Sequence, residues 1–193
     1  MDDIYVSEKT FDKKDFTQNF LTRGEYENCT FQNCDFSESD LGDIKFLECE
    51  FIDCNLSLAK LLKTAFRDVK FQACKMLGLR FEDCNEFNLS FDFDNCSLDH
   101  SSFHGTKIKA IKFKNSQLRE VDFTNCDLAN ASFENCDLAR ATFENTIIEK
   151  ADFRTAFNYS IDLENNRTKK ARFSLPGIIG LLDKYDIDID GAN

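Results

Sequence analysis

The chain has 193 residues, with 24 Lys plus Arg against 35 Asp plus Glu and a formal net charge of −11. That sign excludes a direct grip on nucleic-acid phosphate or anionic lipid and suits a partner with a basic surface. With 42% apolar residues, 21 Phe, 7 Gly and 1 Pro, the chain is too apolar for a disordered acidic tail. It is also too poor in Gly and Pro for collagen or a flexible linker. No apolar run is long enough to span a membrane as a helix. The N-terminal MDDIYVSEKTF has no apolar signal core, and the nine Cys, an odd number, fit a reducing compartment better than a disulfide framework. The expectation is a cytoplasmic protein built on one domain.

Residues 1–10 read as an N-terminal cap, with Ile4, Tyr5 and Val6 as a short covering strand. From residue 11 to residue 173 an internal repeat takes over. Its period is five: Val121 to Phe153 reads VDFTN CDLAN ASFEN CDLAR ATFEN TIIEK ADF. Each unit holds a small or β-branched residue, a polar one, a large apolar centre and two mostly polar residues. Five matches neither the helical nor the strand period.

A second period of 20 lies over the first. Phe11, Phe31, Phe51, Phe71, Phe93, Phe113, Phe133, Phe153 and Phe173 step by 20, with one step of 22. Four units per turn predict an all-β solenoid, a square coil of parallel strands whose centres stack down the axis. Phe31, Phe51, Phe71, Phe113, Phe133 and Phe153 are its structural core. Leu163 also reads as a centre. About eight turns at roughly 4.8 Å give a rod about 38 Å long. All nine Cys fall two positions before a centre, the other inward position, where a small side chain is required.

The register breaks once, at residues 85–92, in CNEFNLSFDFDN. Glu86 stands where a centre is due, which an unpaired charge cannot fill. Phe87 or Leu89 is expected to replace it, and either Phe91 or Phe93 continues the Phe column. Glu86, Phe87, Asn88 and Leu89 form a candidate protruding bulge, a place for a partner to touch.

Residues 174–193 change character. Pro176 suits a first helical turn, and Ile178, Leu181, Leu182 and Tyr185 share one face of a helix. Ile187 and Ile189 then alternate with Asp, as in a short strand. A cap with leftover apolar surface predicts a homodimer through Ile178, Leu181, Leu182, Tyr185, Ile187 and Ile189.

The units CDLAN, CDLAR, ADFRT and VDFTN resemble the pentapeptide-repeat family, over about residues 10–173. The resemblance implies a right-handed quadrilateral parallel β-helix with a short C-terminal helix cap. Near-pure Phe columns, one register break in the N-terminal half and the ending FSLPGIIGLLDKYDIDI are most similar to the Qnr-type quinolone-resistance proteins. That narrower likeness implies a DNA mimic that binds DNA gyrase or topoisomerase IV. A rod carrying outward carboxylates would compete for the basic saddle that holds duplex DNA. The candidates are Asp122, Asp127, Asp137, Asp152 and Asp162 before centres, with Glu134 and Glu144 after them. Lys107, Lys109, Lys112 and Lys114 interrupt this track.

The alternative is a non-catalytic scaffold for another protein, since a fold does not specify a function. An enzyme is not expected. Only His100 and His104, beside Asp99, resemble a ligand pair, and the segment does not read as helix. No cofactor or metal is expected.

Overall fold

The computed structural model describes residues 4–190. The outer three residues of each expected end segment, 1–3 and 191–193, lie outside the described residues.

The repeat winds as a solenoid of parallel strands. One sheet has seven strands, Thr10–Asp12, Thr30–Gln32, Glu50–Ile52, Val69–Gln72, Phe91–Asp94, Lys112–Lys114 and Ser132–Glu134, all pairing in parallel. A second sheet has four, Ile4–Ser7, Gly24–Glu27, Lys45–Leu47 and Ala65–Arg67. The other faces are held by single parallel bridges, such as Ser102↔Asp122 and Asp127↔Ile147. Partners differ by 20 residues, or by 22 across the break, so the sequence period is the coil length.

The Phe column is continuous. From Phe11 to Phe173 the rings stack at every step, with centroids 4.6–5.3 Å apart and planes within 23°. Phe31, Phe51, Phe71, Phe113, Phe133 and Phe153 are buried completely or nearly so. Rings from adjacent faces meet edge-on, as Phe113 meets Phe123 at 5.9 Å and 73°. Each such pair adds about 0.5–1.5 kcal/mol beyond area burial.

Every fifth residue turns a corner. Among the described residues twenty-seven non-glycine residues have positive φ, ten of them Asn, nearly all two places after a centre. A left-handed residue costs about 1–2 kcal/mol, less for Asn. The corner N–H offsets this by bonding the next coil: Asn33 donates to the Ile52 carbonyl at 2.9 Å and Asn115 to that of Glu134 at 2.8 Å.

The small inward position does more than fit. The carbonyl of a centre points inside and needs a donor. Cys54 and Cys74 donate thiols to the Phe31 and Phe51 carbonyls, each at 3.3 Å. Thr64 and Thr146 do the same for Leu41 and Phe123 at 2.8 Å. Burial pushes the Cys49, Cys126 and Cys136 thiols up to about 12, so they stay protonated donors. Cys84 is the exception: its centre is missing, and it is only half-buried.

The structure corrects several expectations. At the break, neither Phe87 nor Leu89 becomes a full centre. Phe87 is 65% exposed, and Leu89 is half-buried against the core. Phe93 continues the Phe column, while Phe91 covers the vacant rung and meets Phe66 edge-on at 6.1 Å. The chain approaches the break through a 3-10 turn, Phe81–Asp83. Leu163 is not a centre but 42% exposed; Tyr159 and Ile161 are buried instead. Asn166 closes that coil by donating to the Phe143 and Asp162 carbonyls and accepting the Thr146 N–H, all at 2.8 Å. The C-terminal cap is two 3-10 helices, Pro176–Leu181 and Asp183–Tyr185, and Ile187 and Ile189 form no strand. With a period near three, Ile178 and Leu181 share a face, but Leu182 and Tyr185 do not join it.

Phe113→Ala is expected to destabilise the whole rod by about 3–5 kcal/mol. It leaves a gap in the stack and removes edge contacts on two faces. Urea unfolding followed by far-UV dichroism would measure it.

Candidate functional site

With the core filled, function falls to the outer faces and the ends. Among the described residues no cluster of His, Cys, Asp and Glu could hold a metal. His100 and His104 sit on the surface and face separate carboxylates, Glu120 at 3.1 Å and Asp122 at 3.6 Å. Among the described residues no helix is long and apolar enough to cross a membrane.

The Asp residues before centres have a local task. In the half-exposed position the carboxylate accepts the N–H two residues on, closing the turn. Thr124 donates to Asp122 at 2.8 Å, Ala129 to Asp127 and Ala139 to Asp137 at 3.2 Å, and Glu164 to Asp162 at 2.9 Å. This is the side-chain turn that Asp favours.

Most of these carboxylates also meet a cation. Lys109 binds Asp127 at 3.3 Å. Arg154 and Arg172 bind Asp152 at 2.8 and 3.0 Å, and the Arg154 hydrogen bond holds that carboxyl below its usual range. Lys184 binds Asp162 at 2.7 Å and Glu164 at 2.8 Å. Glu134, Asp137 and Glu144 have no ion pair among the described residues; Asp137 accepts instead from the Asn158 amide at 2.8 Å.

Three of the four clustered lysines are paired in the same way, Lys107 having no ion pair among the described residues. Lys112 meets Asp92 at 3.4 Å and Lys114 meets Asp94 at 3.9 Å. Glu50 with Lys70 and Asp99 with Arg119 repeat the arrangement. Such partners stand 20 residues apart, one coil over the other. The signal was present in the sequence as opposite charges at that spacing, and column-by-column charge reading would have found it.

Carboxylates left without a cation among the described residues concentrate elsewhere. They include Glu8, Asp35, Glu38, Glu48, Asp53 and Asp68 in the N-terminal coils, and Asp186, Asp188 and Asp190 at the tail. Glu86 is also exposed, on the bulge. There Phe87 projects under the Arg67 guanidinium, 5.3 Å from the ring centroid. Beneath the bulge the missing rung leaves a groove of about 230 Å³, lined by Leu89, Phe91, Ile108 and Ile111 with Lys70 and Lys109 at its rim.

The C-terminal end is an apolar surface held by a close fit. A Cβ on Gly177 would overlap the Tyr159 hydroxyl, and one on Gly180 the Tyr159 carbonyl. Two glycines therefore let the cap lie on that ring, and Ile161 donates to the Gly180 carbonyl at 2.9 Å. Leu181 packs against the core, and Leu182 is half-buried. Leu175, Ile178, Ile179, Tyr185, Ile187 and Ile189 remain exposed, Leu175 by 83%.

Known proteins match this architecture. A family model for a pentapeptide repeat region covers residues 25–92 and 80–153. The chain belongs to the pentapeptide-repeat family. A search of curated proteins finds no match. Among solved structures, the chain is similar to full-length QnrB1, a plasmid-mediated fluoroquinolone resistance protein. Identity is 18%, the match covers 95% of this chain and 100% of that one, and the TM-score is 0.46. It is similar also to HetL, a pentapeptide repeat protein involved in heterocyst differentiation regulation from the cyanobacterium Nostoc. There identity is 17%, 86% of each chain is covered, and the TM-score is 0.43. A third, Rfr23 from the cyanobacterium Cyanothece, is 16% identical over 55% of this chain and 88% of that one, with a TM-score of 0.25.

Two outcomes are expected at the cap. Gly180→Ala should lift it from Tyr159, seen as protease cleavage after residue 173 while the coils stay folded. Acid should do the same. The Lys184 hydrogen bond holds Asp162 below its usual value, so its stabilisation is complete above the unfolded pKa of about 3.9 and is lost as pH falls through the lower folded value. Asp162→Asn should remove that acid dependence of cleavage.

Proposed function

We propose that this chain is a non-catalytic rod that binds a type II topoisomerase, DNA gyrase or topoisomerase IV, in the basic groove that otherwise holds duplex DNA. It acts there as a homodimer joined at the C-terminal end, touches no nucleic acid itself, and shields the enzyme from quinolones. QnrB1, to which the chain is similar in fold, is a plasmid-mediated fluoroquinolone resistance protein.

The observation that carries the reading is a stiff stack bearing negative charge that its own cations do not neutralise. Ring stacking and strand pairing repeat at every coil, so outward charges on successive coils keep the spacing of the repeat. A dimer joined end to end would be about 75 Å long at the strand spacing, close to about 22 base pairs. The free carboxylates Glu48, Asp53 and Asp68 of the N-terminal coils, with Glu134, Asp137 and Glu144 further along, are the proposed contacts. Asp127, Asp152 and Asp162 contribute field more than direct bonds, because each already meets a cation, and Asp122 faces His104. The bulge of Glu86, Phe87, Asn88 and Leu89 would touch the enzyme beside the groove. Ile178, Tyr185, Ile187 and Ile189 would form the dimer contact, with Leu181 and Leu182 supporting them from beneath.

A second reading is favoured by the cross-coil ion pairs. A rod that spends so many carboxylates on its own lysines and arginines also suits a scaffold for a protein other than a topoisomerase.

Supercoiling by purified gyrase separates the two. The topoisomerase reading expects inhibition, or relief of quinolone-stabilised cleavage, at submicromolar dimer, falling steeply with salt. Glu48→Lys with Asp68→Lys should weaken it by about tenfold or more. No effect at tens of micromolar protein would leave the scaffold.

A further inference from the structure

The third and fourth coils carry an apolar corner that the core does not use. Leu58 is 59% exposed and Leu62 is 61% exposed. Both line a shallow groove of about 330 Å³ together with Ala59, Gly78 and Arg80. Leu77, half-buried on the next coil, accepts the Leu58 N–H at its carbonyl at 2.9 Å. The Leu58 side chain lies across the next coil at Gly78, close enough that a Cβ there would crowd it at 2.9 Å.

The corner itself argues for a role. Leu58 has φ of +59°. In the same column the corners are Glu38, Gly78, His100, Glu120 and Arg140, each polar or glycine. A left-handed leucine costs about 1 kcal/mol, offset in part by its N–H bond to Leu77, while most of its side chain stays in water. An apolar side chain left exposed at a corner where the column is otherwise polar or glycine points to recognition.

The surroundings select a partner. Lys60, Lys63 and Lys75 flank the leucines and are exposed. None of the three has an ion pair among the described residues, whereas Arg80 between them binds Glu82 and Asp83. The chain as a whole carries −11, and in its other lysine cluster Lys109, Lys112 and Lys114 are matched by Asp127, Asp92 and Asp94.

We propose that this corner docks an acidic amphipathic segment of a partner protein. Leucine or isoleucine side chains of the segment cover Leu58, Leu62 and Leu77. Its carboxylates meet Lys60, Lys63 and Lys75. The corner makes no use of the rod's carboxylates, so the proposal stands independently of the topoisomerase reading.

The test uses the whole protein and two fluorescent peptides, one alternating glutamate with leucine and one alternating lysine with leucine, followed by anisotropy. The acidic peptide should bind, less tightly as salt rises, and the basic one should not. Leu58→Asn should weaken binding by about tenfold and also raise the thermal midpoint, because Asn accepts the left-handed corner. The triple change Lys60→Glu, Lys63→Glu, Lys75→Glu should abolish binding with the fold intact by dichroism. The proposal is overturned if neither peptide binds, if both bind alike, or if Leu58→Asn leaves binding unchanged. It is also overturned if the protein self-associates in sedimentation and Leu58→Asn abolishes this, since the occupant is then the Asp186–Asp190 segment of a second copy.

Discussion

The stacking of each coil on the one before it, ring on ring and N–H on carbonyl, is the constraint from which the rest follows. A backbone step of about 4.8 Å between parallel strands is close to the spacing at which benzyl rings lie face to face. Phe133 over Phe113 at 5.1 Å and Phe153 over Phe133 at 4.6 Å show the match. The register of hydrogen bonds and the register of rings therefore enforce one another. A slip of one residue would break both at every coil. This coupling explains why a chain with so few glycines tolerates a left-handed corner at nearly every fifth residue: each strained corner is tied to the next coil.

A filled axis moves all function outward. Inside, thiols such as those of Cys54 and Cys74 donate to centre carbonyls, and burial keeps Cys49, Cys126 and Cys136 protonated. The outer faces instead hold a ledger of charges written one coil apart. Where the column alternates in sign, as at Asp92 and Lys112 or Asp99 and Arg119, the face neutralises itself. Where it does not, as along Glu48 and Asp68 or around Lys60, Lys63 and Lys75, the face stays open to another molecule. The two open regions have opposite signs, so a single rod can present two distinct recognition surfaces.

Much of this was legible before any coordinates. The period of 20 put Phe31, Phe51 and Phe133 inside because only a four-unit coil brings those positions into line. The Cys positions followed from the same arithmetic, although their donor role did not, since it depends on where the centre carbonyl points. The carboxylates were read as a free track from their outward position alone. Their partners Lys109, Arg172 and Lys184 come from neighbouring coils or the cap, and Arg154 from two residues along the same coil. Arg172 is one coil from Asp152, a spacing the repeat already contains, but Lys184 reaches Asp162 only because the cap folds back.

The amino-acid order by itself determined the coil length, the inward residues and the sign of the whole surface, because each is a property of a strict repeat. Only the tertiary structure decided what happens where the repeat lapses. At the break, Phe91 took the vacant rung and Phe87 was left outside. Near the end, Tyr159 and Ile161 displaced Leu163. The cap seated itself on Tyr159 through Gly177 and Gly180. Periodicity assigns a side chain only while its neighbours keep step, and at a lapse several apolar residues compete for one space that three-dimensional fit alone can award.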